Sequence, residues 1–145
     1  MIIESLETAF EDTPTAVLRT LGSLVAHPAV AIAIATPIEE VSRLLVRHRV
    51  PALAVVDDAS HLRGLVTRTD VLRAIDEALA TAGDAMSCVV FALPAGANIE
   101  RAAALMAYEG VGQVVVTGRG GELLGMVSAL DVARHYAAAS GYAIR

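Results

Sequence analysis

The chain has 145 residues, enough to bury a real core within one folded body. Its formal net charge is -5 and only 19% of its residues are charged, which argues against a phosphate-backbone partner, because such binding needs clustered Lys and Arg. Apolar residues make up 55% and aromatic ones 3%, so Ala, Val, Ile and Leu must build the core.

In chain order, Ile2, Ile3, Leu6 and Phe10 mark a short amphipathic helix, and Thr13 with Pro14 starts a second one that ends near Gly22. Glu4, Glu7, Glu11 and Asp12 stand where a secretory signal would carry positive charge, so the expected location is cytoplasmic. The most apolar stretch, residues 24–38, is interrupted by His27, Pro28 and Pro37, and it falls short of the roughly 18 residues that a membrane span needs.

A strand is expected at 29–35. Thr36 and Pro37 then suit the N-cap and first position of a helix, and Glu39 completes a capping box. Ile38, Val41, Leu44, Leu45 and His48 share one face of that helix, which gives His48 the look of a core histidine. Residues 53–56 and 62–67 flank a turn at Asp57, Asp58, Ala59 and Ser60, and read as a hairpin. A second helix follows from Thr69 to about Thr81, closed by Gly83. Cys88, alone of its kind, reads as a small buried hydrophobe beside a strand.

The same order then recurs. A strand is expected at 89–93, an N-cap at Asn98, a buried stripe of Ile99, Ala102, Leu105 and Met106, strands at 114–117 and 123–128, and a helix at 130–139. Gly64, Val66, Asp70, Val71 and Arg73 recur as Gly125, Val127, Asp131, Val132 and Arg134, displaced by 61 positions without a gap. Glu39, Leu44, Val50, Val55 and Leu62 map at the same distance onto Glu100, Leu105, Val111, Val116 and Leu123. Two copies are too few for a solenoid, so a closed pseudo-twofold pair is expected.

Gly64-Leu65-Val66-Thr67-Arg68-Thr69-Asp70 and Gly125-Met126-Val127-Ser128-Ala129-Leu130-Asp131 closely resemble the signature of the cystathionine β-synthase (CBS) domain family. Asp84-Ala85-Met86-Ser87 resembles the family's usual lead-in to a second repeat, and the resemblance covers about residues 23–140. It implies an α/β (α+β) fold of two β-α-β-β-α repeats, at 23–82 and 83–145, behind an N-terminal helical segment at 1–22. It also implies a regulatory rather than a catalytic protein, with no required cofactor. Family members bind AMP, ADP, ATP or S-adenosylmethionine in two clefts between the repeats, and often pair as homodimers.

Carried over by position, the resemblance joins Thr67, Arg68, Thr69 and Asp70 with Val90, Phe91, Val111 and Gly112 in one cleft. It joins Ser128 and Asp131 with Val30, Val50 and Pro51 in the other. A carboxylate can accept from both ribose hydroxyls, and charge assistance roughly doubles each bond. Both Asp residues also stand in the first turn of a helix, whose amide end attracts phosphate, with Thr67 and Ser128 as further donors. The same position equally suits plain helix-start residues without a ligand.

Arg68, Arg73, Arg134 and His135 could complete a phosphate site or be solvated surface charges, and Phe91 could lie on adenine or in the core. The chain departs from nucleotide-sensing relatives at Pro51-Ala52 and Gly112-Gln113, where some carry basic residues. Arg47, His48 and Arg49 lie close by in sequence. Ser128, Asp131 and His135 fall within one helix start and do not have the layout of a catalytic triad. Asp57, Asp58 and His61 belong to a turn rather than a metal site. Two functions follow: an adenosine-ligand sensor signalling to an unidentified effector protein, or a ligand-free interaction module acting through homodimerisation and partner docking.

Overall fold

Alternating and continuous apolar runs of strand length give each half one three-stranded sheet, and the helices between them cover it. The structure is a computed structural model that describes residues 19–25 and 28–143. The helices expected from Ile2, Ile3, Leu6, Phe10, Thr13 and Pro14 lie outside the described residues, except for the expected end of the second near Gly22, where Thr20 is instead extended and a short 3-10 turn spans Leu21–Leu24.

One unit spans Ala29–Val90. In it β1 (Ala31–Ala33) runs parallel to β2 (Ala52–Val56), which pairs antiparallel with β3 (Leu62–Thr67). Helix α1 (Ile38–His48) links β1 to β2, and α2 (Arg68–Asp76) and the short α3 (Ala82–Ala85) follow β3. Ile32, Ile38, Val41, Leu45, Leu53, Val55, Val66, Val71 and Ala74 form its core.

The other unit contains the chain from Phe91 onward, together with described residues ahead of Ala29. Its strands are β4 (Ala92–Pro94), β5 (Gln113–Thr117) and β6 (Leu123–Ser128), in the same parallel and antiparallel order. Its helices are α4 (Ile99–Glu109) and α5 (Ala129–Ala139). Leu93, Ile99, Ala102, Leu105, Val114, Val116, Val127 and Val132 fill its core, with Leu21 inserted from the N-terminal side.

The 61-residue displacement extends to single hydrogen bonds and irregularities. Sheet register shifts between Val55 and Val56 and again between Val116 and Thr117. Left-handed backbone closes both first helices, at Arg49 (φ 52°) and at Gly110 (φ 67°). Glycine adopts that conformation without the steric cost that Arg49 carries.

Each unit also receives the segment that precedes the other repeat. Ala82 and Gly83 donate their amides to the carbonyls of Thr36 and Ile34, at 2.8 and 2.9 Å. Leu21 and Gly22 donate to Ala97 and Ala95 at 2.7 and 2.9 Å, again 61 positions apart from the first set. Residues 20–24 therefore serve the second repeat as 81–85 serve the first.

Several local expectations are corrected here. Pro37, not Thr36, is the N-cap of α1, and no side chain caps it. The Ile38 amide instead donates to the Ala80 carbonyl at 3.0 Å, so a neighbouring segment does the work of the Thr36–Glu39 box. Helix α2 stops at Asp76 rather than near Thr81, because Ala78 turns left-handed (φ 54°) and lets Leu79 pack on the core. Gly83 lies inside α3 instead of closing α2, and a Cβ there would meet Ile34 Cγ2 at 2.5 Å.

The strand expected at 89–93 forms at Ala92–Pro94, which leaves Cys88 on the exposed connection after Ser87 rather than buried. His48 is also exposed, since the buried stripe of α1 ends at Leu45 and its last turn faces solvent. No helix among the described residues is long and apolar enough to cross a membrane.

Candidate functional site

The two Asp residues of the repeated heptads occupy identical local structures, built by the strand-to-helix junction that carries them. Thr67 ends β3 in extended conformation and becomes the N-cap of α2, which puts Asp70 at the third helical position. The Asp70 amide donates to Thr67 Oγ1 at 3.2 Å, while Asp70 Oδ2 accepts from the Thr67 amide at 2.8 Å and from its hydroxyl at 2.9 Å. Ser128 and Asp131 repeat the arrangement on α5 with the same three distances. Each box satisfies helix-end amides and fixes the carboxylate rotamer.

Both carboxylates are only partly buried, and one oxygen of each is taken up by its own cap. Asp70 Oδ1 lies 4.0 Å from Arg73 Nη2. Asp131 Oδ1 has no protein partner among the described residues. Each Asp therefore keeps a second carboxylate oxygen outside its own cap, an acceptor that suits a hydroxyl donor.

The hydroxyls behave differently from the sequence expectation. Thr67 and Ser128 donate their protons to their own Asp residues, so in this structure they position the carboxylates instead of offering a donor to phosphate. The spacing of Ser or Thr three residues before Asp was the available signal for these boxes, and Thr81 with Asp84 forms a third on α3.

Of the other sequence-derived residues, Arg68 and Thr69 are exposed on the first turn of α2. Val30, Val50, Pro51 and Val111 are half-buried, and Gly112 is exposed. Val90 is buried, and Phe91 sits in the core cluster of its own unit. The Val30 and Phe91 carbonyls accept from the Ala54 and Val115 amides, both at 2.9 Å, at equivalent positions of the two sheets. The Gly112 carbonyl accepts from the Ala129 amide at the start of α5, also at 2.9 Å.

Sequence reasoning missed the role of Arg73. Its Nη2 donates to the Ala85 carbonyl at 2.8 Å and its Nη1 to Glu77 Oε2 at 3.1 Å, which ties α2 to the end of α3. Beyond α3, Ser87 exchanges two backbone hydrogen bonds with Leu65 on β3. A Cβ on Gly64 would stand 2.5 Å from the Ser87 carbonyl oxygen, so this close approach requires the glycine of the heptad.

The tempting catalytic and metal constellations do not assemble. Ser128 Oγ is bonded to Asp131, and the His135 ring makes an edge contact with Tyr136 at 5.2 Å. Desolvation, with Glu100 nearby, pushes the Tyr136 phenol up from its ordinary value. Asp57 Oδ1 accepts from the Ala59 and His61 amides at 3.0 and 2.9 Å, closing the hairpin turn. No group of three or more metal-binding side chains occurs among the described residues.

The family model of the CBS domain matches residues 21–77 and 82–138. The chain belongs to the CBS domain family. Among solved structures, the CBS domain pair of protein MJ0100, in complex with 5-methylthioadenosine and S-adenosyl-L-methionine, is similar with a TM-score of 0.78 at 20% identity. That match covers 84% of this chain and 98% of that one. CBSX2 in complex with AMP gives a TM-score of 0.72 at 24% identity, over 83% and 98% of the two chains. The CBS domain protein PAE2072 from Pyrobaculum aerophilum, complexed with AMP, gives 0.72 at 24% identity, over 77% and 88%. At these identities the likeness is one of CBS fold. No curated protein matches this chain.

Proposed function

We propose that this CBS domain protein is a cytoplasmic regulatory module that binds an adenosine-containing ligand and passes its bound state to a partner protein. AMP, ADP, ATP and S-adenosylmethionine are the candidate ligands, and Asp70 and Asp131 are the ribose anchors. The observation carrying this reading is the paired capping boxes, which hold two carboxylates alike and leave one oxygen of each outside the cap. CBS proteins of the same fold in complex with AMP, 5-methylthioadenosine and S-adenosyl-L-methionine support the choice of ligand class. Val90, Phe91, Val111 and Gly112 for one ligand, and Val30, Val50 and Pro51 for the other, are the base-contacting positions of this proposal. Homodimerisation belongs to it too.

A second reading, the ligand-free interaction module, draws on a different observation. The Thr67 and Ser128 hydroxyl protons are already engaged within the protein, and Phe91 packs in the core, so these groups already have structural uses.

Calorimetric titration of the purified chain with AMP, ADP, ATP and S-adenosylmethionine separates the two. The sensor reading expects heat with at least one of them and its loss in Asp70→Asn or Asp131→Asn. Silence with all four contradicts it and leaves the interaction module.

A further inference from the structure

One nitrogen of Arg73 faces two acceptors. Its Nη2 donates to the Ala85 carbonyl at 2.8 Å and stands 4.0 Å from Asp70 Oδ1, the oxygen that the Thr67 cap leaves out. The other end of the guanidinium is held by Glu77 Oε2, 3.1 Å from Nη1. Ala85 is buried at the end of α3, and Ser87, two residues on, is bonded to Leu65 of β3 through both its amide and its carbonyl. Arg73 therefore bridges the Asp70 anchor and the segment 82–87, which in sequence leads from the first repeat to the second.

The second repeat lacks this bridge. Arg134 lies 61 positions after Arg73, and Leu24 lies 61 positions before Ala85. Both are among the described residues, yet Arg134 makes no ion pair or side-chain hydrogen bond there, and Ala138 stands where Glu77 was. Two carboxylates with the same cap thus differ in what is attached behind them.

The shared nitrogen sets the sign of the coupling. When the segment 82–87 opens locally, Nη2 loses the Ala85 carbonyl and is left with Asp70 Oδ1 close by. A free Oδ1 stabilises the open state by receiving the released guanidinium. Hydroxyl groups that donate to Oδ1 satisfy the same charge and remove that refuge, so opening becomes less favourable.

We propose that Arg73 is a relay: occupancy of Asp70 by an adenosine compound is passed through its guanidinium to the segment 82–87, whereas occupancy of Asp131 has no such route. This rests on the adenosine-binding reading above and assigns a means of regulation to one of its two anchors. Arg73 acts as a positioning residue and not as a ligand contact.

The test follows amide hydrogen exchange at Ala85, Met86 and Ser87, whose amides bond Thr81, Ala82 and Leu65, in the full chain with adenosine as probe and calorimetry to establish saturation. Asp131→Asn leaves the α2 anchor, and saturation is expected to slow these three amides about fivefold. The Ala59 and His61 amides, bonded to Asp57 in the hairpin of the same unit, are expected to keep their rates. Adding Arg73→Gln is expected to hold the adenosine affinity within about twofold and to abolish the slowing. Asp70→Asn, which leaves the α5 anchor, is expected to bind adenosine with no slowing at the three amides. Unchanged exchange in saturated Asp131→Asn, slowing that survives Arg73→Gln, or binding lost with Arg73→Gln would overturn the relay while leaving the adenosine reading standing. So would the same slowing in Asp70→Asn, or heat with the unmodified chain but none with Asp131→Asn. Absence of adenosine binding to the unmodified chain would overturn both.

Discussion

Thr67 and Asp70 hold each other from both ends: the Asp70 amide donates to the Thr67 hydroxyl, and that hydroxyl donates in turn to Asp70 Oδ2 at 2.9 Å. The pair starts α2 and aims its carboxylate in one step. Thr67→Val removes both bonds at nearly constant volume and is expected to cost about 1 kcal/mol, or about 3 °C in thermal midpoint. Thr67→Ser is expected to restore both stability and ligand affinity. A Val variant as stable as the parent would show that the box contributes nothing.

Gly64→Ala tests the packing behind that junction. The added methyl would meet the Ser87 carbonyl, a backbone atom with no rotamer to escape to, and the Met86 sulfur at 3.0 Å. The expected cost is about 1 to 3 kcal/mol, as for other overpacked sites. Amide exchange should rise at Leu65 and Ser87, whose two mutual hydrogen bonds would be pushed apart.

Arg73 and Arg134 look interchangeable in the aligned repeats, yet they should respond differently to removal. Arg73→Gln loses the contacts to Ala85 and Glu77 and is expected to lower the thermal midpoint by about 3 °C, a value discounted for the exposure of the side chain. Arg134→Gln is expected to leave the midpoint unchanged. Equal losses in the two variants would contradict the structural distinction.

The first hairpin should contribute to the acid sensitivity of the protein. The His61 amide is the largest influence holding the Asp57 carboxyl below its ordinary value, followed on the same side by the Ala59 amide and the His61 and Arg63 charges, with burial opposing them. A folded-state value below the unfolded one stabilises the protein above the unfolded value, and that contribution is lost as pH falls through the folded one. Asp57→Asn should therefore flatten the acid side of a plot of thermal midpoint against pH. An acid limb identical to that of the parent would contradict this.

Much of the fold was legible because the repeat is exact in spacing. Asp70 and Asp131, Gly64 and Gly125, and the two hairpins with their turns all follow from local pattern. What local pattern missed was contributed from a distance. The start of α1 is satisfied by Ala80 rather than by Thr36, and the carbonyls of Ile34 and Thr36 accept from residues about fifty positions away, which no helix-start rule foresees. The engagement of Arg73 by Ala85 was hidden for the same reason, as was the exposure of Cys88 on a connection that the strand pattern had placed beside a sheet. The Thr67 and Ser128 boxes were available from spacing alone, but their effect on the hydroxyl protons needed geometry.

The central claim is that adenosine compounds seat on these two carboxylates. Amide chemical-shift mapping of the isotope-labelled chain during titration with AMP examines it most directly. The account predicts that the largest shifts fall on 67–70, on 128–131, or on both. Saturable binding whose shifts cluster elsewhere, with both Asp segments still, would contradict it.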